Sequence, residues 1–282
     1  MSFIAILGAG ALGGTLAHRL ASRGRVAEVR LIDDQAAVAQ GKALDIQQSG
    51  AVEGFVVRVT SAGELEAAAG ADVIVVADSS RGDEEHSGEA GLALVRRIAS
   101  IDTAAPLLFA GAHQRVLLAR AATELHVARQ RLVGSAPGAL ESAVRALAAL
   151  EVDSTGVEIQ VRVVGVPPDA AVVAWEESTA FGQPLATVLA PHRIAAISAR
   201  LPRLWPPGPI VLASAAARVA EALANGSRRR FSCFVAIAEG SMTRVLAMPV
   251  ELGPGGVMRV LRPALTRQEQ TRLDNASATS GL

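Results

Sequence analysis

The sequence predicts an α/β protein, with a doubly wound parallel sheet followed by a smaller α+β C-terminal domain. Three observations support this fold class. Short apolar runs alternate with helical segments through the first half, which is typical of a parallel sheet covered on both faces. A glycine-rich turn at residues 8–13 joins the first apolar run to the first helical segment. Residues 157–166 instead alternate apolar and polar side chains, as in a half-buried antiparallel strand.

The first domain is predicted to span residues 1–145. Its strands are expected at 3–7, 28–32, 55–59, 73–77, 106–110 and 131–134. Its helices are expected at about 11–23, 36–49, 88–100 and 114–127. Because helices separate strands that are apolar on both faces, the strands should be parallel and their crossovers right-handed.

The second domain is predicted to span residues 146–282 and to mix antiparallel strands with helices. After the strand at 157–166, helices are expected near 191–201 and 210–225, strands at 231–238, 244–250 and 256–260, and a polar helix near 266–276. The sequence shows no internal repeat and no low-complexity linker.

Composition excludes several functional classes. The 282 residues carry a formal net charge of zero, so the chain lacks the basic surface that nucleic acid or an anionic membrane requires. No apolar run approaches the roughly 20 residues of a membrane span, and the first residues lack the basic region of a signal peptide. Cys233 is the only cysteine, which excludes a disulfide framework and a cysteine-based metal site. We therefore expect a cytoplasmic globular protein.

The glycine-rich turn has the spacing of a dinucleotide-binding fingerprint. In ILGAGALGG, three glycines follow the G-x-G-x-x-G pattern between a strand and a helix, whose N-terminus would hold the pyrophosphate. Asp33 ends the second strand, where a carboxylate binds a ribose diol, and the adjacent Asp34 favours NAD over NADP. The residues expected to contact NAD are Gly8, Ala9, Gly10, Ala11, Leu12, Gly13, Asp33 and Ala77.

Several longer stretches resemble one enzyme family. They are ILGAGALGG, GKALDIQQSGAVEGFVVRVT (41–60), ADVIVVA (71–77), RLVGSA (131–136), MPVELGPGGVMRVL (248–261) and LTRQEQTRLDNA (265–276). The chain resembles the NAD-dependent malate and lactate dehydrogenase family, in particular the malate dehydrogenases of the lactate-dehydrogenase-like type. The resemblance implies a Rossmann domain, an α+β catalytic domain and assembly into dimers or tetramers.

The resemblance also implies a proton relay that this sequence lacks. The family uses a histidine to move the proton and a carboxylate to orient that histidine. Alignment with the family places Pro167, in the stretch VVGVPPDA, at the position of the histidine. No histidine lies between His126 and His192. Glu141, in GALESAVRAL, stands at the position of the orienting carboxylate.

The arginines that hold the substrate in the family are also displaced or absent. Val144 occupies the position of the family's clamping arginine. Arg145 is the next residue along the chain, which on a helix turns its side chain about 100° away from that position. In the mobile loop DSSRGDEEHSGEAG (78–91), Gly82 and Gly88 stand at the two loop arginines. Acidic residues of this loop would repel a dicarboxylate; they are Asp78, Asp83, Glu84, Glu85 and Glu89.

Two histidines remain as candidates for acid–base chemistry, together with Glu141. His113 follows the fifth strand, where the family has Asn-Pro, and His86 lies in the mobile loop. Both are expected near the nicotinamide end of the cleft. A solvated surface position is the alternative interpretation of each.

Three functions stay open from the sequence. The first is a catalytically degenerate NAD-binding protein that senses dinucleotide or regulates a partner, for example by pairing with an active homologue. The second is an active NAD-dependent oxidoreductase with a different, non-dicarboxylate substrate. The third is a scaffold that has kept the fold and a homo-oligomer interface without NAD affinity. The intact fingerprint disfavours the third, and the missing relay favours the first over the second.

Overall fold

The computed structural model describes residues 2–102, 104–239 and 242–279. The strands are β1 (Phe3–Leu7), β2 (Glu28–Ile32), β3 (Arg58–Ala62), β4 (Val73–Val76), β5 (Leu107–Phe109), β6 (Leu132–Gly134), β7 (Ile159–Gln160), β8 (Val163–Val166), β9 (Ala170–Val173), β10 (Thr179–Ala180), β11 (Gln183–Pro184), β12 (Arg230–Glu239), β13 (Met242–Gly253) and β14 (Gly256–Val260). The α-helices are α1 (Ala11–Arg23), α2 (Ala36–Glu53), α3 (Gly88–Ile101), α4 (Arg115–Thr123), α5 (Ala136–Glu151), α6 (Leu185–Val188), α7 (Pro191–Arg200), α8 (Pro209–Asn225) and α9 (Arg267–Thr279).

The first six strands form a parallel sheet in the order β3-β2-β1-β4-β5-β6. Consecutive residues of β1, Ile4, Ala5 and Ile6, are all fully buried, so both faces of the sheet are covered. This confirms the predicted doubly wound α/β class. The strand order reverses between β1 and β4, and ligands of such sheets bind at the carboxyl ends of the strands at that point.

The sheet continues into the second half of the chain. β12 pairs antiparallel with β6 and with β13, and β13 pairs in turn with β8 and β14. Helix α5 runs across the predicted boundary between residues 145 and 146. The two-domain division therefore stays a prediction, while the main sheet is shared by both halves.

The strand predicted at residues 157–166 is antiparallel but divided. β7 pairs with β10 in a small three-stranded sheet, whereas β8 joins the main sheet beside β13. Arg162 lies between the two strands, and its guanidinium donates to the Val161 carbonyl and approaches Glu141. The alternation predicted burial correctly at Ile159 and Val163, but it carried no information on which sheet each half joins.

Helix α2 is longer than predicted, and β3 is correspondingly displaced. The helix runs to Glu53 and ends at Gly54, which adopts a left-handed conformation with φ of +82°. The chain then needs residues 55–57 to return to the sheet, so β3 begins at Arg58 and not at residue 55. Helix α5 was not predicted, and neither were the short elements β9, β10, β11 and α6, which have only two to four residues each.

Two apolar clusters support this architecture. The larger one surrounds the main sheet and includes the packing of α1 against α8. The smaller one lies between α5 and the strands β7 and β8, with Leu140, Val144 and Trp175 among its members. None of the helices in the described part of the chain is long and apolar enough to cross a bilayer.

Candidate functional site

The residues predicted to contact NAD lie together at the carboxyl ends of β1, β2 and β4. The Ala77 N–H donates to the Leu7 carbonyl at 3.0 Å, and the Gly8 N–H donates to the Ile32 carbonyl at 2.7 Å. These bonds hold the three strand ends side by side. Helix α1 begins at Ala11, directly after the glycine-rich turn, so its N-terminus opens onto the same crevice.

The glycines of the turn are required by close packing. Gly8 has a φ of +108°, and a Cβ there would overlap the carbonyl oxygen of Asp78. A Cβ at Gly13 would overlap the carbonyl oxygen of Gly8, as expected for tight helix–strand packing. A Cβ at Gly10 would overlap the Asp78 carboxylate. The space that Gly10 leaves open is therefore occupied by the Asp78 side chain.

Two carboxylates lie on the N-terminus of α1. The N–H groups of Leu12 and Gly13 donate to the two oxygens of Asp78, each at 2.8 Å, and the Ala11 N–H donates to Asp83 at 2.7 Å. Burial raises the pKa of Asp78, and the two hydrogen bonds from α1 oppose that rise. Unpaired N–H groups and the helix dipole make this position favourable for anions. The carboxylates thus occupy the place predicted for the pyrophosphate.

The carboxylate predicted to bind the ribose is also hydrogen-bonded within the chain. Asp33 accepts hydrogen bonds from the Ala9 N–H at 2.8 Å, the Ser80 N–H at 3.0 Å and the Ser80 hydroxyl at 2.7 Å. Burial raises the pKa of Asp33, but these bonds, led by the Ser80 hydroxyl, outweigh it and hold the pKa below its ordinary value. Asp33 is therefore an ionised acceptor, with Ser80 as its donor.

A third carboxylate reaches the end of β5. Glu85 accepts from the N–H groups of Ala112 and His113, each at 2.7 Å. The His113 Nδ1 lies 3.6 Å from Glu85 Oε1, and the His113 side chain is 62% exposed. The candidate histidine after β5 is therefore a surface side chain that contacts an acid of the loop.

Asp78, Asp83 and Glu85 all belong to residues 78–87, which we call the acidic segment. The segment folds back on itself. The Ser79 N–H donates to the Glu84 carbonyl at 2.8 Å, and the backbones of Asp78 and Glu85 form an isolated antiparallel β-bridge. Its turn is formed by Gly82 and Asp83, both with positive φ. Buried Gln114 fixes its far end by donating to the carbonyls of Ala77 and His86.

The second candidate histidine, His86, lies inside the crevice. Burial lowers its pKa, while the charges of Asp33, Asp78 and Asp34 oppose this. The imidazole is therefore not a fully solvated surface group, and it lies near enough to Asp33 and Asp78 to be affected by their charges.

Sequence reasoning missed four residues that shape this site. Lys42, the only lysine, donates from Nζ to the Gly10 carbonyl at 2.9 Å and places a cation beside the fingerprint. The others are Asp78, Asp83 and Gln114. A signal for Asp78 was present, because an acid that directly follows β4 must lie at the carboxyl end of that strand, beside β1.

Glu141, the candidate carboxylate of the second half, belongs to a structural network. Its Oε1 accepts from the Ser232 hydroxyl at 2.6 Å and lies 3.5 Å from Arg162 Nη1. Burial raises the pKa of Glu141, and the charge of Arg162 opposes that rise. Within the described ranges its hydrogen-bonding partners include no histidine.

Pro167, Val144 and Arg145, which were also compared with the family, lie in the second half of the chain as well. Pro167 is buried in the turn between β8 and β9. Val144 is fully buried in the smaller apolar cluster, and the charge of Arg145 acts on Arg218 of α8. Burial raises the pKa of the Cys233 thiol. Across the part of the chain that the structure describes, no group of three or more metal-ligating side chains occurs.

Comparison with known proteins identifies the family. Residues 3–105 match the model of the lactate/malate dehydrogenase NAD-binding domain. Malate dehydrogenase from Roseiflexus sp. (strain RS-1) is 32% identical over 292 residues, covering 94% of this chain and 92% of that protein. The chain belongs to the lactate/malate dehydrogenase family. Malate dehydrogenase from Thermomicrobium roseum is 29% identical, with 97% and 94% covered.

Solved structures share the fold of this lactate/malate dehydrogenase homologue over nearly its whole length. Lactate dehydrogenase from Cryptosporidium parvum, solved with lactic acid and NAD, matches with a TM-score of 0.87 and 20% identity, covering 99% of this chain and 95% of that one. Malate dehydrogenase from Salinibacter ruber matches with a TM-score of 0.87 and 22% identity over the same shares. Both confirm the fold.

NAD is the cofactor of this family's N-terminal domain, and the backbone of the crevice is suited to binding it. The helix N-terminus, the glycines and Asp33 supply the groups that hold a pyrophosphate and a ribose diol. The acidic segment now engages these same groups.

Proposed function

We propose that this protein is a lactate/malate dehydrogenase homologue that holds NAD but does not oxidise malate or lactate. The observation that carries the proposal is Pro167, which is buried in the turn between β8 and β9, at the position that the resemblance to the family assigns to the proton-relaying histidine. A prolyl side chain has no group that can accept or donate a proton. Losing one member of a catalytic set that acts as a unit commonly lowers the rate by several orders of magnitude.

The surroundings of Glu141 support the same conclusion. Its carboxylate is committed to Ser232 and Arg162, so it does not orient an imidazole. The substrate clamp is missing as well, because Val144 is a buried apolar residue in the core. A neutral isopropyl group cannot form the paired, charge-assisted hydrogen bonds that hold a carboxylate.

The acidic segment opposes a dicarboxylate substrate. Gly82 and Gly88 stand at the family's loop arginines, and the segment's only cation, Arg81, pairs with Asp34 at 3.3 Å. A substrate with two negative charges would meet several carboxylates there. We infer a regulatory, pseudoenzyme role in the cytoplasm, as a homo-oligomer (dimer or tetramer) or together with an active homologue.

A second candidate function rests on the contact between His113 and Glu85. A carboxylate beside an imidazole can orient it and stabilise its charged form for acid–base chemistry. The pair lies at the end of β5, on the carboxyl side of the sheet where ligands bind. It would serve an NAD-dependent oxidoreductase that acts on a substrate without paired carboxylates.

Calorimetric titration with NAD and NADH, followed by turnover assays, tests the proposal. We expect dinucleotide binding without turnover of malate, oxaloacetate, lactate or pyruvate. Robust malate oxidation by the purified protein would refute the proposal. If turnover is found with another hydroxy compound, His113→Ala should abolish it while NADH still binds, with His192→Ala as the matched surface control.

A further inference from the structure

The acidic segment lies on the groups that the crevice offers to a dinucleotide. We propose that this segment is an internal ligand of the NAD site, which NAD must displace in order to bind. The inference rests on the proposed function, since it concerns how that same site is regulated. It is carried by contacts at three places: the start of α1, the end of β2 and the end of β5.

At the start of α1, the segment supplies an anion to the helix. Asp78 binds two consecutive N–H groups with its two oxygens, and Asp83 binds the N–H before them. Asp78 is only 2% exposed, so a phosphate cannot reach Leu12 or Gly13 while this side chain remains. The two negative charges of a pyrophosphate and these two carboxylates would compete for one set of donors.

At the end of β2, the segment supplies a hydroxyl to the ribose-binding acid. The Ser80 hydroxyl donates to one oxygen of Asp33, and the Ser80 N–H donates to the other. A ribose diol would need those same acceptor positions. At the end of β5, Glu85 binds the N–H groups of Ala112 and His113 in a comparable way.

The segment can move without disturbing the sheet. Residues 81–84 are exposed, and the contacts described above between the segment and α1, β2 and β5 are polar. Segments with few buried apolar contacts open at low free-energy cost compared with core strands. Lys42 lies beside Gly10 and would stay behind as a cation near the bound pyrophosphate.

Helix capping alone is the competing explanation. The N-cap residue Gly10 has no side chain, so Asp78 and Asp83 satisfy N–H groups that would otherwise lack a protein partner. Capping accounts for the contacts at α1 but not for those of Ser80 and Glu85. It predicts that removing the two acids lowers stability and leaves the affinity for NADH unchanged.

The test compares NADH affinity, measured by calorimetry, for the wild type and for Asp78→Ala/Asp83→Ala. The double variant should bind at least about tenfold more tightly, because the binding-competent state no longer has to be released from the segment. The control is Glu64→Ala/Glu176→Ala, which changes net charge equally at two exposed acids outside the segment and should match the wild type. Equal, measurable binding by the double variant and the wild type would overturn this inference alone. Absence of binding in both would overturn the proposed function, and this inference with it.

Hydrogen exchange on the unaltered protein tests the inference even if the double variant fails to fold. Saturating NADH should speed amide exchange in the segment, at Ser80 and His86, and keep the first turn of α1 protected. A segment that becomes more protected with NADH, or that does not change while α1 does, would contradict displacement.

Discussion

Glu141 shares a partly buried site with Arg162 and Ser232, which lie 3.5 Å and 2.6 Å from its Oε1 atom. Because burial raises its pKa in the folded protein, folding favours the protonated acid. This contribution to stability is complete below the ordinary carboxyl pKa and is lost as the pH rises through the raised value. Above that range the ionised form makes the folded state less stable.

Glu141→Gln should therefore gain stability relative to the wild type as the pH rises. We expect the difference in free energy of unfolding to shift toward the variant as the pH rises above the ordinary carboxyl pKa, by about 1.4 kcal/mol for each pH unit between the two pKa values. Urea unfolding at several pH values measures this difference. Glu64→Gln, at an exposed acid, should show a constant difference. A constant difference for Glu141→Gln as well would refute the prediction.

Residues of the NAD site differed in how well they could be predicted. Asp33 follows directly from its place at the end of β2, a local feature of the sequence. Asp78 sits in an equally local position, but its partners Leu12 and Gly13 are 66 and 65 positions away. Its role depends on β1 and β4 being neighbours and on the segment folding back, which no short pattern specifies.

At the scale of elements, α1 and α8 are joined by a charged pair. Arg23 donates to both oxygens of Glu221, at 2.5 and 2.8 Å, and the Glu221 side chain is only 8% exposed against 35% for Arg23. The hydrogen bond to Glu221 raises the pKa of Arg23. The two partners therefore do not have equal access to water if the pair is broken.

Arg23→Ala should destabilise the protein more than Glu221→Gln. The first leaves a buried carboxylate with Arg25, at 4.0 Å, and the charge of Arg218 as weaker partners, and should lower the free energy of unfolding by about 2–3 kcal/mol. The second leaves an arginine that can reach water and should cost about 1 kcal/mol. Denaturant unfolding at neutral pH compares them. Arg97→Ala, at an exposed pair with Glu66, is the control and should change little. Equal losses at Arg23 and Glu221 would contradict this account.

At the scale of the whole molecule, the main sheet joins the two predicted domains. β6 pairs with β12, and α8 packs against α1, so residues on both sides of position 145 share one core. An isolated fragment of residues 1–145 would expose the unpaired edge of β6 and the buried face of α1.

Cooperative unfolding of the full chain is the expected consequence. Calorimetry should show one transition for the full-length protein, and the fragment of residues 1–145 should show no cooperative transition of its own. Circular dichroism of the fragment serves as the control for residual secondary structure. A fragment that unfolds cooperatively near the temperature of the full chain would show that the first half folds independently.

The sequence by itself determined the α/β class, the parallel order of alternating strands and helices, the fingerprint glycines and Asp33. Each of these depends on a pattern within a short stretch, where side-chain spacing directly reflects backbone geometry. Family membership also followed from such stretches. The largest error was the omission of helix α5. The errors at residues 157–166 and at the start of β3 lay where a local pattern fits more than one tertiary partner.

Only the tertiary structure decided what occupies the dinucleotide crevice. The sequence showed an acidic loop and an intact fingerprint as separate features, and it assigned the acids a repulsive effect on a substrate. Folding brings Asp78 and Asp83 to α1 and Ser80 to Asp33, because parallel strands place their carboxyl ends at one edge of the sheet. The physical reason is distance along the chain, since hydrogen bonds between such remote residues exist only once the sheet is assembled.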